Sequence, residues 1–161
     1  MKLYHGTFSP DIAQPDLSKC RNKTDFGKGF YTTTSVEQAR KWAILRKNRF
    51  HAENAYIVEY EIDDVILSSG KFKIRFFDGA TKEWLEFVYN NRKGIETEQF
   101  DMVMGPVAND SLYATLLLYE QGVLSVEATI EQLKTHALFN QLSFHTPKAI
   151  EMLKFIKITK I

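Results

Sequence analysis

The sequence predicts one α+β domain, in which strands are scattered among helices and do not alternate with them regularly. Three observations predict this class. The 161 residues are 44% apolar and 13% aromatic, which is enough to bury a substantial core. Stretches with a two-residue period and stretches with a helical period both occur, in irregular order. No repeat, low-complexity segment or Pro/Gly/Ser-rich linker divides the chain, so we expect a single domain over residues 1–161.

The first part of the chain predicts three strands and one helix. Residues 2 to 5 form a short extended stretch, and residues 29 to 33 form a second strand. Ser35, with Gln38 three residues later, is a capping box that begins a helix running to about residue 47. One stripe of that helix is apolar: Val36, Ala39, Trp42 and Ala43. Residues 55 to 62 alternate, which predicts a strand with one face exposed or at the sheet margin.

The middle of the chain predicts helices around one buried strand. Trp84, Phe87 and Val88 share a helical face within KEWLEFVYNN, and residues 100 to 105 form a buried strand that ends at a Gly-Pro turn. A mostly buried helix follows over residues 111 to 121, with Asp110 or Ser111 as its N-cap, and another helix begins after Ser125.

The C-terminal segment predicts a strand, a helix and a closing strand. In the strand, Leu142 and Phe144 point to one face. The polar residues Gln141, Ser143 and His145 point to the other face. Thr146 is the expected N-cap of the helix, and Pro147 its first residue. The preferred interpretation of His145 is a helix-entry residue beside that cap.

Charge and cysteine usage narrow the functional classes. The net charge of +1 gives no overall electrostatic signature of nucleic acid or anionic membrane binding. One cysteine, Cys20, and the lack of metal-ligand spacing argue against a disulfide, a zinc site or an iron-sulfur site. No apolar run is long enough for a secretory signal or a membrane span, so the expectation is a cytoplasmic protein.

Two short motifs precede the first helix. In LYHGT, residues 3 to 7, a histidine at a strand end and a bare glycine backbone suit hydrogen bonding to a sugar hydroxyl and to a planar amide. In GKGFYTTTSVEQARKWA, Tyr31 and Trp42 could enclose a flat cationic ring, while Gly27 and Gly29 let the chain pass close to a ligand or a neighbouring strand. A surface His with a turn Gly, and two aromatics packed in the core, are the alternatives.

Together these motifs resemble the NAD-binding half of the diphtheria-toxin and poly-ADP-ribose-polymerase branch of ADP-ribosyltransferases. Through DMVMGPVANDS and NQLSFHTPKAIEML, the whole chain is also similar to a bacterial family of small stand-alone domains of unknown function within that superfamily. The resemblance implies an ADP-ribosyltransferase-like fold, with a split mixed or antiparallel β-sheet core and flanking helices.

The resemblance also implies roles for individual residues. His5 matches the histidine that hydrogen-bonds a ribose of NAD, and Gly6 the residue whose backbone binds the nicotinamide carboxamide. Tyr31 matches the tyrosine that stacks on the nicotinamide, and Trp42 takes the place of a second tyrosine. Thr7 and the loop through Asp25 would line the adenosine and phosphate side, and Gly29 would let its strand run close to NAD.

Gln141 stands where the resemblance implies a catalytic glutamate. An amide can accept the same hydrogen bond from the ribose, but it lacks the charge that offsets an oxocarbenium-like transition state. The glutamine therefore argues against polymer synthesis and leaves single ADP-ribose transfer, or no activity at all.

The leading hypothesis is an NAD-dependent mono-ADP-ribosyltransferase that needs no metal and modifies a protein or nucleic acid. Analogy suggests the toxin of a toxin-antitoxin pair, with a partner antitoxin, or a phage-defence effector. The alternatives are an inactive NAD or ADP-ribose binding module and an NAD glycohydrolase. A nucleic-acid acceptor would need a local basic patch, for which Arg46, Lys47 and Arg49 are candidates, although these residues could equally be a charged helix end.

Overall fold

The computed structural model describes residues 1–107, 110–134 and 140–161. Its central element is a seven-stranded mixed sheet. The strand order is β4-β5-β6-β2-β1-β3-β7, and only the β4 and β5 pair is parallel. The strands are β1 (Lys2–Thr7), β2 (Phe30–Thr33), β3 (Tyr56–Glu61), β4 (Ile74–Phe76), β5 (Met102–Pro106), β6 (Asn140–Phe144) and β7 (Lys154–Lys160). The predicted α+β class is confirmed.

Helices connect these strands over the described part of the chain. They are α1 (Val36–Arg49), α2 (Asp64–Ser68), α3 (Lys82–Lys93), α4 (Asp110–Glu120), α5 (Val126–Lys134) and α6 (Pro147–Ile150). The expected N-cap of α4 lies outside the described side chains. None of the helices in the described ranges combines the length and the apolar character that crossing a bilayer requires.

The sheet has two parts that barely meet. β1 pairs with β3 over six residue pairs, whereas β1 and β2 pair only through Tyr4 and Thr33. Beyond that pair no ladder is recorded, so residues 5–7 of β1 and 30–32 of β2 are adjacent without main-chain pairing. We call this interruption of the pairing the inter-strand gap. It divides β4-β5-β6-β2 from β1-β3-β7 in a sheet that is otherwise continuous.

Each face of the sheet has its own core. One face buries Leu3, Phe30, Val58, Tyr60, Ile62, Met102, Leu142, Phe144 and Ala149. The other face packs on α3 and α5 through Phe26, Phe77, Trp84, Leu85, Val88, Val103, Leu116 and Leu133. α1 covers β1 on this second face, where Gly6 contacts the helix backbone at Ala39. The gap therefore lies between α1 on one side and the α3 and α5 layer on the other.

Two predicted helix starts and the predicted alternation in one strand are confirmed. Ser35 caps α1, its hydroxyl oxygen accepting from the Gln38 amide at 3.2 Å. Pro147 begins α6 as predicted, and Gln141 and Ser143 lie opposite Leu142 and Phe144 in β6. Strand β4, helix α2 and a 3-10 turn at Leu17–Lys19 have no counterpart among the sequence-based predictions.

Other local predictions were wrong, for reasons of tertiary context. β3 is an interior strand and not at the sheet margin, and its expected wet face is largely covered: Ile57 and Glu59 are only 6% and 8% exposed, and Glu59 pairs with Lys2 and Lys157. Val36 is 41% exposed and does not join the apolar stripe of α1. Thr146 is the N-cap residue of α6 as predicted, but its side chain makes no capping hydrogen bond, because its hydroxyl donates to the Asp101 carboxylate at 2.8 Å.

Helix α4 was expected to be mostly buried, which is wrong for the part whose burial is described, residues 114–120. Thr115 and Leu116 are buried, but Leu117 and Leu118 are exposed. The helix is apolar on all sides, so its sequence could not indicate which side faces the core.

We expect Gly6→Ala to destabilise the fold by about 3 kcal/mol, because an added Cβ would lie 2.1 Å from the Ala39 carbonyl oxygen and 2.7 Å from the Ala43 nitrogen. The matched control is Gly122→Ala. Gly122 has a positive φ of 73° but open space around it, so that change should cost about 1 kcal/mol of backbone strain. Urea unfolding measures both. Equal losses would show that the β1 and α1 contact does not limit position 6.

Candidate functional site

His5 spans the inter-strand gap. Its Nδ1–H donates to the Tyr31 carbonyl oxygen at 2.7 Å, and its ring stacks on Phe30 at 4.6 Å between centroids. β1 and β2 form no ladder at this position, so the side chain joins two strands that the main chain leaves apart. Because a carbonyl can only accept, Nδ1 carries the proton in this arrangement.

The second nitrogen of His5 is an unused acceptor. Burial, with a smaller contribution from the Arg46 charge, lowers the pKa of His5 to about 4, so the ring is neutral at pH 7 and Nε2 presents a lone pair. Nε2 is buried and has no hydrogen-bond partner within the described residues. An unsatisfied buried acceptor costs about 1–3 kcal/mol, and a hydroxyl donor from a ligand would satisfy it.

The Tyr31 hydroxyl anchors the loop that precedes β2. It donates to the Gly27 carbonyl oxygen at 2.6 Å and accepts from Phe26 N at 2.9 Å and Thr24 Oγ1 at 2.8 Å. Burial raises the pKa of this phenol further above its ordinary value, so it stays protonated. These three bonds hold residues 24 to 27 against the ring that the sequence predicted to bind nicotinamide.

Phe26, and not Trp42, lies against the Tyr31 ring. The Phe26 and Tyr31 centroids are 6.3 Å apart with an interplanar angle of 29°, and His145 meets Tyr31 edge-on at 6.2 Å. Across the described part of the chain no aromatic ring packs on Trp42. The pairing of Tyr31 with Trp42 around a ligand stays a prediction.

Trp42 precedes Ala43, the α1 residue whose backbone borders Gly6 of β1. Gln38, Trp42 and Arg46 are spaced four residues apart, so they follow one stripe of the helix. The charge of Arg46 makes a minor contribution to the lowered pKa of His5. Trp42 is half-buried in the same stripe, one turn before Arg46.

The polar row on β6 lies directly beside Tyr31. Ser143 faces Tyr31 in the β2 and β6 pairing, and Gln141 faces Thr33. Gln141 is only 5% exposed, and its Nε2 lies 3.4 Å from both the Asp25 carboxylate and the Pro106 carbonyl oxygen. With the amide nitrogen engaged, the oxygen Oε1 is the acceptor that Gln141 can offer.

His145 precedes the N-cap of α6, as the sequence predicted, and it also connects the loop to β6. Its Nδ1–H donates to the Lys28 carbonyl oxygen at 2.8 Å, and its Nε2 accepts from Ser143 Oγ at 2.8 Å. Burial lowers the pKa of His145, which keeps the ring neutral and compatible with this pattern. The signal was present in the sequence, since alternation along β6 had placed His145 on the face of Gln141 and Ser143.

The glycines and Thr7 have structural reasons of their own. A Cβ on Gly29 would lie 2.7 Å from His145 Nδ1, and Gly27 adopts a φ of 84° beside the Asn91 side chain. Thr7 is buried, and its Oγ1 accepts from Ser9 N at 3.2 Å. These close approaches are to the protein itself, so they neither require nor exclude a ligand nearby.

The structure thus brings some predicted site residues into contact and leaves others apart. His5 contacts Tyr31 across the gap, Asp25 contacts Gln141, and Gly6 lies on the α1 side of the gap. No group of three potential metal ligands occurs within residues 1–107, 110–134 and 140–161.

We expect the stability of the protein to fall as pH decreases from about 6.5 to 4, because unfolding lets His5 bind a proton that the folded state excludes. The contribution of His5 should be about 3 kcal/mol across that window. Urea unfolding should therefore show a weaker pH dependence for His5→Asn than for the wild type or for the exposed control His51→Asn. Nitrogen chemical shifts of the wild-type ring provide a second measurement, and an imidazolium at pH 6 would contradict the assignment.

Comparison with known proteins places the chain in a family. No curated protein matches it. A family model matches residues 1–155, which is nearly the whole chain. The chain therefore belongs to the family described as "Protein of unknown function (DUF3990)".

Proposed function

We propose that this chain is an NAD-dependent mono-ADP-ribosyltransferase. The observation that carries the proposal is the neutral His5 ring, whose buried Nε2 offers an unused acceptor beside Tyr31 at the inter-strand gap. A ribose hydroxyl is the kind of donor that this atom lacks. The resemblance of LYHGT and GKGFYTTTSVEQARKWA to NAD-binding motifs supports the same ligand.

The residues would act mainly by positioning and electrostatics. His5 Nε2 would accept from a ribose hydroxyl, and Gln141 Oε1 from a hydroxyl of the nicotinamide ribose. The bond between the anomeric carbon and the pyridinium nitrogen breaks, and its electron pair leaves with nicotinamide. A protein or nucleic-acid nucleophile then attacks the anomeric carbon and loses its proton. Orientation of the two reactants and preorganised dipoles supply the rate enhancement.

To stack on Tyr31, the nicotinamide needs a side of the ring that no other side chain covers, or a shift of the neighbouring loop. Phe26 occupies one side of the Tyr31 ring, so the ring offers its other surface or the loop at residues 24 to 27 shifts. Trp42 would have to approach from α1. Gly6 would contribute its main-chain groups, since the space beside its Cα is filled by the α1 backbone.

Gln141 favours a second candidate function, an inactive module that binds NAD or ADP-ribose. Its buried amide is neutral and engaged with Asp25 and Pro106, so it adds no negative charge of its own to offset a developing cation. An NAD glycohydrolase, with water as the acceptor, is the remaining alternative. The cellular role as a toxin with an antitoxin, or as a phage-defence effector, rests on analogy alone.

We expect the purified chain, incubated with NAD labelled in its adenosine half and a cell lysate, to release nicotinamide and to transfer label to a macromolecule. His5→Ala and Tyr31→Ala should each lower the rate by about 100-fold, since each removes a positioning contact at the reacting ribose or ring. Scintillation counting of acid-precipitated material and chromatography of free nicotinamide measure the two products.

The control for this experiment is His51→Asn, which changes an exposed histidine with a positive φ of 50° to a residue that tolerates that conformation. Circular dichroism establishes that each variant folds. NAD binding by calorimetry with neither product would favour the binding module. Free nicotinamide without transferred label would favour the glycohydrolase.

We expect Gln141→Glu to raise NAD cleavage, with a gain that grows as pH increases. The new carboxylate would lie close to the Asp25 carboxylate, because the present separation from Gln141 Nε2 is 3.4 Å. Repulsion between the two charges should raise the pKa of the introduced group, so its ionised form appears only at higher pH. Initial rates from pH 5 to 9 measure this effect.

Two further variants define the result. Gln141→Glu combined with Asp25→Asn removes the repulsion and should shift the rate increase to lower pH. Gln99→Glu introduces the same charge at an exposed position and should leave the rate unchanged. If Gln141→Glu behaves like Gln99→Glu at every pH, position 141 does not contact the reacting ribose.

A further inference from the structure

We propose that the C-terminal end of α1 and the adjoining loop bind the phosphodiester backbone of a nucleic acid. Four side chains form a continuous pile at this surface, which we call the arginine stack: Arg21, Phe50, Phe8 and Arg46. The Arg21 and Arg46 Cζ atoms each lie 5.5 Å from the centroid of their ring, and the two rings stack at 4.9 Å with an angle of 26°.

The arginine stack carries charge that the protein does not neutralise. Within the described residues, Arg21, Arg46 and the neighbouring Arg49 form no ion pair, whereas Arg75 pairs with Glu83 at 3.0 Å. Burial lowers the pKa of Arg46, and the charges of Arg21 and Arg49 lower it further. Like charges held this close repel one another, so a bound anion would stabilise the arrangement.

The sequence around the stack is strongly basic, although the chain as a whole is not. Residues 19 to 51 contain nine Lys or Arg against two Asp or Glu, while the rest of the chain contains 12 against 18. The overall net charge of +1 therefore hides a basic segment within an acidic remainder. Such asymmetry is typical of a surface that binds a polyanion.

The geometry favours phosphate as the anion. The rings hold the two guanidinium groups in place, and no hydrogen bond joins either guanidinium to another described residue. Their N–H groups remain available for the paired hydrogen bonds that guanidinium makes with phosphate oxygens. Phe50 is 44% exposed, so the stack is at the surface, where an extended polymer can reach it.

The position of the stack links it to the proposed active site. Arg46 follows Ala43, whose backbone borders Gly6 of β1, by less than one helical turn, so a polymer bound at the stack would lie beside the end of α1 that packs on β1. The assignment of this polymer as the acceptor rests on the proposed transferase function. The binding itself rests on the charges and rings alone and is measured without NAD.

The test is fluorescence anisotropy with a labelled 20-nucleotide single-stranded DNA and the RNA of the same sequence. We expect binding that weakens with salt, with a log–log slope near −2 for about three phosphate contacts. The double change Arg21→Gln and Arg46→Gln should weaken binding at least about tenfold and reduce the slope. Arg46→Lys alone should lose part of the affinity, since it keeps the charge but not the planar fork.

The matched control is Arg75→Gln, because Arg75 also lies over a phenylalanine ring, at 4.9 Å from Phe77, but is paired with Glu83. It should bind like the wild type. Unchanged binding by the double variant, or equal losses with Arg75→Gln, would overturn the proposal. Complete competition by equimolar NAD or inorganic pyrophosphate would also overturn it, because it would indicate a small diphosphate site. Equal affinity for vesicles of anionic lipid would overturn it as well. If the wild type binds the oligonucleotide but does not cleave NAD, the result would count against the proposed function only.

Discussion

The hydrogen bond from His5 Nδ1 to the Tyr31 carbonyl oxygen is the contact on which the candidate site depends. Main-chain pairing between the two parts of the sheet is reduced to Tyr4 and Thr33, so this side chain supplies the next connection along the gap. A single hydrogen bond of this kind contributes about 1 kcal/mol. Its larger effect is on the tautomer of His5. It fixes the proton on Nδ1 and leaves Nε2 as a buried acceptor with no partner within the described chain.

The segments on either side of the gap are held in place by ordinary packing and hydrogen bonds. Gly6 lets the α1 backbone approach β1 more closely than any residue with a Cβ would allow. On the other side, the Tyr31 hydroxyl and His145 hold the loop against β2 and β6. The LYHGT and GKGFYTTT motifs thus serve the fold and the candidate site with the same atoms, which is why the core-packing and ligand-binding interpretations of these residues do not exclude each other.

Local patterns predicted the elements well, and contacts between distant segments poorly. The cap at Ser35 and the alternation in β6 are determined by neighbours in sequence, so both could be predicted. The interior position of β3 depends on β7, nearly a hundred residues later, and Thr146 turns to Asp101 on another strand end. The position of Phe26 on Tyr31 was equally hidden, because a phenylalanine between Asp25 and Gly27 gives only a turn signal. The contacts of His5 with Tyr31 and of Gln141 with Asp25 join segments that are 26 and 116 residues apart, so local patterns could not predict them.

Electrostatics connects the basic surface with the chemistry proposed for the gap. Cleavage of the bond to nicotinamide builds positive charge on the ribose, and Gln141 is neutral. The positive charge of Arg46 also lowers the pKa of His5, so it acts unfavourably on any further positive charge there. A nucleic-acid backbone bound at the arginine stack would neutralise that charge and bring negative phosphates beside the developing cation. On the proposed mechanism, binding of the acceptor would therefore lower the barrier to cleavage, and wasteful hydrolysis of NAD would stay slow until the acceptor is in place.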